Sequence, residues 1–371
     1  MTSHTFHAGA ARPPRRWRIV LPLGVVILLA LGWAGFWYYA STRAQTEFAA
    51  WRAREAAAGR EVNCASESVG GFPFRIELRC AEPAARLSRL RTSLHAKDML
   101  AAVQIYQPTL MLAEFGGPLT IDDEAHGVKY ALDWSLAQAS LRGLPRPERV
   151  SVVLDKPSLA RAGAETLARA AHAELHLRPA PRLPQDPPAL DLAVNLTQAQ
   201  ASGIPRLPNA PIDADIAATI RGVSDVSPRP LPQLLRELAA ANGRLDITKA
   251  RVRQGDILAT GAGTLRVTDR GMLDGEVALT VAGIDQLMAA LGVDKAVGQA
   301  SQRALDRIAP GLNLDRLLGP HGGAALASVG AAMLGQPTEL EGRKAVTLPL
   351  RFADGVVFLG PLRVGEMAPL F

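Results

Sequence analysis

Most of the chain after residue 60 consists of short segments in which apolar and polar residues alternate. In one of the clearest, every second residue from 72 to 80 is apolar, and charged residues occupy positions 75, 77 and 79. Side chains of a β-strand point alternately to its two faces, so this pattern predicts a strand with one buried face. The same period of two recurs at residues 128–134, 150–154, 190–196, 265–267, 277–281 and 346–352.

Glycine-containing turn signals separate these segments. Tight turns join consecutive strands as antiparallel pairs, so we expect a meander over residues 243–283 and a terminal hairpin over residues 345–364. The other predicted elements are helices at 42–58 and 231–241, two or three short helices between 284 and 335, and proline-rich surface loops at 178–188, 205–211 and 227–232.

The pattern therefore predicts a mainly β fold with minor α structure. We expect large curved antiparallel sheets, built as meanders and arranged as a groove or a sandwich. Residues 61–371 are expected to form one β-rich domain, and the alternative is two subdomains that meet near residues 185–230.

Residues 19–40 form a stretch of 22 uncharged residues that follows four arginines and ends in a run of Trp, Phe and Tyr. As an α-helix they would span about 33 Å, close to the roughly 30 Å hydrocarbon core of a bilayer. This predicts one transmembrane anchor, with residues 1–18 in the cytoplasm, a juxtamembrane helix at 41–60 and the remainder on the far side. A cleavable signal peptide is the alternative, although its apolar core is shorter and ends in small residues.

Charge and cysteine content narrow the function classes. The formal net charge is +6, and the first 40 residues hold four arginines and no acid, which leaves only +2 for the exported part. Such a small, scattered charge does not predict a nucleic-acid partner. Cys64 and Cys80 are the only cysteines. An even number on the oxidising side of a membrane predicts a disulfide, and two free buried thiols are the alternative.

Three groups of residues resemble catalytic or ligand-binding motifs, but each has a simpler structural explanation. His172, Glu174 and His176 would share one face of a strand, but they lack the spacing of a helical zinc-protease motif, so an exposed polar strand face is favoured. Glycines at 261–263 favour a hairpin over a phosphate loop, and the acidic residues 122–124 favour a solvated turn. The sequence therefore predicts no enzyme, no cofactor and no metal site.

A wide sheet with one apolar face must cover that face with another sheet, with helices or with a ligand. In a membrane-anchored protein, a lipid or another amphiphile is a reasonable cover, and two sheets packed together are the alternative. A scaffold that binds other envelope proteins through sheet edges and proline-rich loops is a second functional hypothesis. The candidate groove-lining residues are Phe74, Ile76, Leu78, Val277, Leu279 and Val281.

Two segments resemble a known family. The run from Gly70 to Cys80, which contains Gly-Gly-Phe-Pro-Phe-Arg, and the ending from Leu348 to Leu362 resemble the domain of unknown function 2125 family of bacterial envelope proteins. The resemblance implies an anchored, β-rich periplasmic protein of the bacterial inner membrane, without an established activity. In its first motif we expect Phe72 and Phe74 to fill the core.

A second likeness involves the predicted meander. The spacing of glycines and apolar residues over 261–287 is similar to strand repeats of AsmA-type envelope proteins. Those proteins are associated with moving or shielding lipids between membranes, which is what this likeness implies for the chain.

Overall fold

The computed structural model describes residues 17–144, 147–181, 185–202, 210–223, 231–284, 286, 335–359 and 362–371. The short helices predicted between 284 and 335 lie outside these residues, apart from the ends of that range. So do parts of the three proline-rich loops. Strands account for 57% of the described residues and two helices complete the fold, so the mainly β prediction is confirmed.

The elements follow in this order. They are α1 (Trp17–Ala57), β1 (Arg60–Asn63), β2 (Ser66–Gly70), β3 (Arg75–Ala81), β4 (Ala84–Leu87), β5 (Thr92–His95), β6 (Asp98–Gln104), β7 (Gln107–Gly116), β8 (Leu119–Asp123), β9 (Val128–Asp133), β10 (Leu136–Arg142), β11 (Arg149–Asp155), β12 (Ser158–Arg161), β13 (Thr166–Arg169), β14 (His172–Pro179), β15 (Ala189–Ala201), β16 (Ile212–Arg221), α2 (Leu231–Ala240), β17 (Arg244–Gln254), β18 (Ile257–Val267), β19 (Leu273–Ala282), β20 (Gln336–Leu340), β21 (Arg343–Ala353), β22 (Val356–Leu359) and β23 (Leu362–Glu366).

Antiparallel pairing joins most strands into what we call the long sheet. Its order is β2, β3, β6, β7, β10, β11, β14, β15, β16, β17, β18, β19 and β21, with β20 and β22 on the far edge of β21 and β23 on β22. A second set, the short sheet, runs β1, β4, β5, β8, β9, β12 and β13, and β13 pairs with the end of β15. The chain passes between the two sheets within a few residues each time, for example at residues 82–83 and 156–157, where Glu82 and Lys156 have positive φ.

Helix α1 continues without a break from the apolar stretch into the polar segment predicted as a juxtamembrane helix. It is long and apolar enough to cross a membrane, and its most apolar window has no buried residues. Its second half lies along the first strands, where Arg52 pairs with Glu67 at 3.1 Å and Glu55 pairs with Arg60 at 2.5 Å. The most apolar window is therefore exposed, and the polar half lies along the sheet.

Helix α2 packs across one end of the strands from β11 to β19 in the long sheet. Its Leu238 and Ala239 are buried together with Leu190, Val223 and Val267. The helix begins and ends within one residue of the predicted 231–241. Its leucines at 234, 235 and 238 face the sheet because they recur at helical spacing.

Strand β3 begins three residues later than its alternation suggests. Gly71 has φ +97°, and the amide of Arg75 donates to the carbonyl of Gly71 at 3.1 Å, which closes a turn over residues 71–75. Phe72 and Phe74 consequently lie outside the strand and are 57% and 63% exposed. The prediction that they fill the core was wrong, because the turn removes them from the alternating face.

Candidate functional site

The register of the long sheet places apolar residues opposite one another across twelve consecutive strands, from β3 to β21. One row contains Leu78, Ala101, Ala113, Ala139, Val152, Leu175, Val194, Ile216, Ala250, Gly261, Leu279 and Leu348. The next row contains Ile76, Val103, Met111, Leu141, Val150, Leu177, Leu192, Ala218, Ile247, Gly263, Val277 and Leu350.

These two rows lie on one face of the sheet, because their members are two positions apart along each strand. Strand β17 is the exception in spacing: a register shift between Ile247 and Ala250 inserts one extra residue and so keeps both on that face. At about 4.8 Å per strand the rows extend roughly 50 Å across the sheet. We call this surface the apolar face.

The opposite face is mostly polar. The row that includes Glu114, Gln138, Glu174, Asp215 and Arg251 runs across it, and its members pair with neighbouring strands. Gln138 donates to Glu114 at 2.7 Å. Arg251 makes two hydrogen bonds to Glu341, at 2.8 and 2.9 Å. The long sheet is therefore amphipathic over its whole width.

Most of the apolar face has intermediate exposure. Of the two rows only Ala113, Ala218 and Leu348 are buried, Leu175 is 37% exposed, and the others are half-buried. A second packed layer would bury large side chains almost completely. Within the described residues, helix α2 provides such a layer at one end of strands β11 to β19, where Val150 and Leu177 pack against its cluster. Further along the same strands, most of the large side chains of the two rows are half-buried or exposed.

The structure distributes the predicted groove residues along this face instead of gathering them in one pocket. Ile76 shares a row with Val277, and Leu78 shares a row with Leu279, but ten strand pairings separate β3 from β19. Val281 points to the same side and is completely buried. Phe74 lies in the turn before β3. Between these ends the same rows contain Val152 and Val194, which the alternation placed in predicted strands, and Leu177 and Ile216. None of the four was among the candidate groove residues.

The predicted bridge between Cys64 and Cys80 is present, with the two Cα atoms 5.4 Å apart. It links the segment between β1 and β2 to β3. Three residues earlier on β3, the buried carboxylate of Glu77 pairs with Arg75 at 2.5 Å and Arg79 at 2.8 Å. Glu77 was expected on an exposed polar face and is only 3% exposed.

His172, Glu174 and His176 lie on the polar face of β14, as their spacing indicated. His172 is within hydrogen-bond distance of Asp155 at 2.6 Å and of Glu174 at 2.7 Å, and His176 is 3.0 Å from Glu174. Hydrogen bonds to Glu174 and then to Asp155 raise the pKa of His172, and the same contact with His172 lowers the pKa of Glu174. No group of three or more His, Cys, Asp or Glu among the described residues is arranged to hold a metal ion.

A shallow depression of about 660 Å³ opens on the polar side at the end of β17 to β19. Arg244, Thr264, Arg266 and Glu276 contribute its polar lining. Nearby, Asp246 pairs with Arg221 at 2.5 Å and accepts a hydrogen bond from Thr264 at 3.1 Å. The arrangement is a network of ion pairs that joins neighbouring strands.

Helix α1 meets the sheet through aromatic side chains. The indole Nε1 of Trp33 donates to the carbonyl of Pro73, and that of Trp37 donates to the carbonyl of Arg75, each at 2.8 Å. The ring of Trp37 meets the ring of Phe72 edge to face, with centroids 5.5 Å apart. The apolar part of α1 is thus attached to the turn before β3.

These features define a class: a β-rich protein with an N-terminal apolar helix and one large amphipathic antiparallel sheet. The chain belongs to a bacterial family described as "Uncharacterized protein conserved in bacteria (DUF2125)", whose sequence model matches residues 37–368. This confirms the first of the two resemblances. No curated protein and no solved structure matches the chain, so the likeness to AsmA-type proteins stays a prediction.

Proposed function

We propose that this protein is a single-pass inner-membrane protein whose periplasmic β domain holds lipid acyl chains, or another amphiphile, on the apolar face. The observation that carries the proposal is a pair of apolar rows that cross twelve strands and remain half-buried in the middle. The two rows carry no acid, base or nucleophile, so the proposal includes no catalytic step.

The anchor supports the location. The most apolar window of α1 is exposed, and the arginines that precede it favour a cytoplasmic N-terminus. Since the helix passes directly into the β domain, that domain lies beside a continuous supply of lipid. The AsmA-type spacing of the 261–287 block agrees with a lipid ligand.

The energetics suit a carrier. Each methylene that moves from water to an apolar surface contributes about 0.8 kcal/mol, so about ten shielded methylenes correspond to the free energy of a micromolar dissociation constant, before the costs of association. Relative to the bilayer interior the same transfer is close to neutral. A lipid on the apolar face would therefore be retained against water and would still exchange with the membrane.

Neighbouring residues on one strand offer a matched test. Ile216 lies on the apolar face, and Asp215 lies on the polar face beside it. We expect a photo-cross-linking amino acid at position 216 of the full chain in cells to give lipid-mass adducts, and the same group at 215 to give none. Equal labelling at both positions, or no lipid at 216, would contradict the proposal. A protein-sized adduct at 216 would instead favour the envelope scaffold.

A further inference from the structure

Two turns at one end of the long sheet expose large aromatic side chains. Phe72 and Phe74 lie in the turn before β3, and Tyr106, which is 74% exposed, lies in the turn between β6 and β7. The turns are adjacent, because the amide of Ile105 donates to the carbonyl of Phe74 at 3.1 Å. We call Phe72, Phe74 and Tyr106 the aromatic tip. Single exposed apolar residues are common on protein surfaces, whereas three aromatic residues on adjoining turns form a patch.

The contacts with α1 fix the level of this tip along the helix. Trp33 and Trp37 bind the carbonyls of Pro73 and Arg75, and the rings of Trp33 and Phe74 lie 6.5 Å apart. Both tryptophans belong to the uncharged stretch that ends at Ala40. At about 1.5 Å per residue, they lie roughly 10 and 5 Å before its end. This is the depth at which Trp, Tyr and Phe partition into a membrane interface.

Strand β3 runs alongside α1, away from the tip. Trp37 contacts Arg75 at the start of the strand, and Arg52 pairs with Glu67, which lies opposite Cys80 near the strand's end. The helix advances about 22 Å between residues 37 and 52, and the strand advances about 17 Å between residues 75 and 80. The apolar rows therefore begin at the tip: Ile76 is two residues after Phe74, and its partner Val103 is three residues before Tyr106.

We propose that the aromatic tip inserts into the interface of the membrane that holds α1, and that acyl chains pass from the bilayer onto the apolar face at Ile76 and Val103. This inference rests on the proposed anchor and lipid function. It adds a residue-level membrane contact and an entrance. The occupant of the tip is the bilayer because the tip is attached to the one described helix that is apolar and long enough to cross it.

The test uses the full chain in vesicles of phosphatidylethanolamine and phosphatidylglycerol. Both native cysteines are in the disulfide, so a single introduced cysteine can carry an environment-sensitive fluorophore. With Phe74→Cys or Tyr106→Cys we expect a blue-shifted emission that spin-labelled lipids quench strongly.

Leu90→Cys is the matched control. Leu90 is an exposed apolar residue in the turn between β4 and β5, and this turn contacts Gly59 through the amide of Ser88 at 3.0 Å. Gly59 follows the end of α1 at Ala57, which is 24 residues beyond Trp33, or about 36 Å along the helix. We expect little quenching there. Val26→Cys in the anchor distinguishes failure of the proposed tip insertion from failure of the proposed anchor. Quenching at position 26 with none at 74 and 106 would overturn insertion of the tip. No quenching at position 26 would overturn the membrane anchor itself.

The entrance is tested separately. Phe74→Asp combined with Tyr106→Asp should lower lipid cross-linking from position 216 several-fold, whereas Leu90→Asp should leave it unchanged. Unchanged cross-linking in the tip variant, with the anchor still inserted, would overturn the entrance.

Discussion

Two leucines on β15 provide a direct measure of whether the apolar face is covered. Leu190 and Leu192 point to the same side of the same strand. Leu190 is 3% exposed and packs with α2, whereas Leu192, two residues further along the strand, is half-buried. Leu190→Ala and Leu192→Ala therefore remove the same atoms from two different environments.

The expected costs differ because only one site leaves a cavity. Truncation of a fully packed leucine costs about 2–5 kcal/mol, which combines the lost transfer free energy with the cavity that remains. At a partly open sheet position the whole range of residue preferences is about 1 kcal/mol. We expect Leu190→Ala to lower the free energy of unfolding by at least 1 kcal/mol more than Leu192→Ala does.

The measurement is thermal or urea unfolding of the full chain in detergent after lipid removal, followed by circular dichroism. Bound lipid stabilises the folded state by mass action, so the comparison requires the empty protein. Equal losses for the two variants would mean that a packed layer covers Leu192, and the proposed lipid face would have to be abandoned.

Three further predictions concern stability. Replacement of Cys64 and Cys80 by alanine should cost about 3 kcal/mol, since the bridge closes a loop with a sequence separation of 16, and reductant should destabilise the wild type alone. His172→Gln should remove a pH dependence of stability, because the pKa of His172 is raised above 6.5, chiefly by its hydrogen bond to Glu174. The stabilisation by His172 is complete below pH 6.5 and is lost as the pH rises through the folded-state pKa. Melting temperatures of wild type and variant between about pH 6 and 9 will show this. Desolvation raises the pKa of Asp246, but its hydrogen bonds and charged partners have the larger effect, so the net shift is downward. Asp246→Asn should therefore lower the melting temperature at about pH 7. The difference in melting temperature from wild type should shrink below about pH 4.

Each of these predictions has an outcome that contradicts it. Identical melting temperatures of the oxidised wild type and the cysteine-free variant would mean that the disulfide does not stabilise the folded protein. Parallel pH profiles of wild type and His172→Gln would mean that His172 binds no proton on folding. A difference for Asp246→Asn that persists unchanged at pH 3 would assign its cost to packing.

The local elements were predictable because their signals are local. The meander predicted for 243–283 corresponds to β17, β18 and β19, and the terminal hairpin to β21 and β22 with β23 added. Alternation defines such strands, and turns with glycine at positive φ, such as those at Gly255 and Gly355, separate them. The disulfide was predictable from the even cysteine count and the expected export of the β domain.

Long-range pairing was not predictable in the same way. Leu78 and Leu279 belong to one row only because ten successive strand pairings have matching registers. The sequence of any single segment does not determine the registers of all ten. The reversed roles of Phe74 and Glu77 have a similar origin. Alternation assigns residues to two faces, but the neighbours decide which face is covered: two arginines accompany Glu77, and α1 receives the aromatic turn.

Under the proposed function, the amphipathic sheet requires the membrane anchor. A partly open apolar face on a sheet roughly 50 Å wide would favour self-association in a freely diffusing protein. Attachment to α1 through Trp33 and Trp37 keeps the start of that face at a membrane, where lipid is always available to cover it. Loss of these two contacts should therefore affect lipid occupancy before it affects the fold, because the central strands form hydrogen bonds with one another.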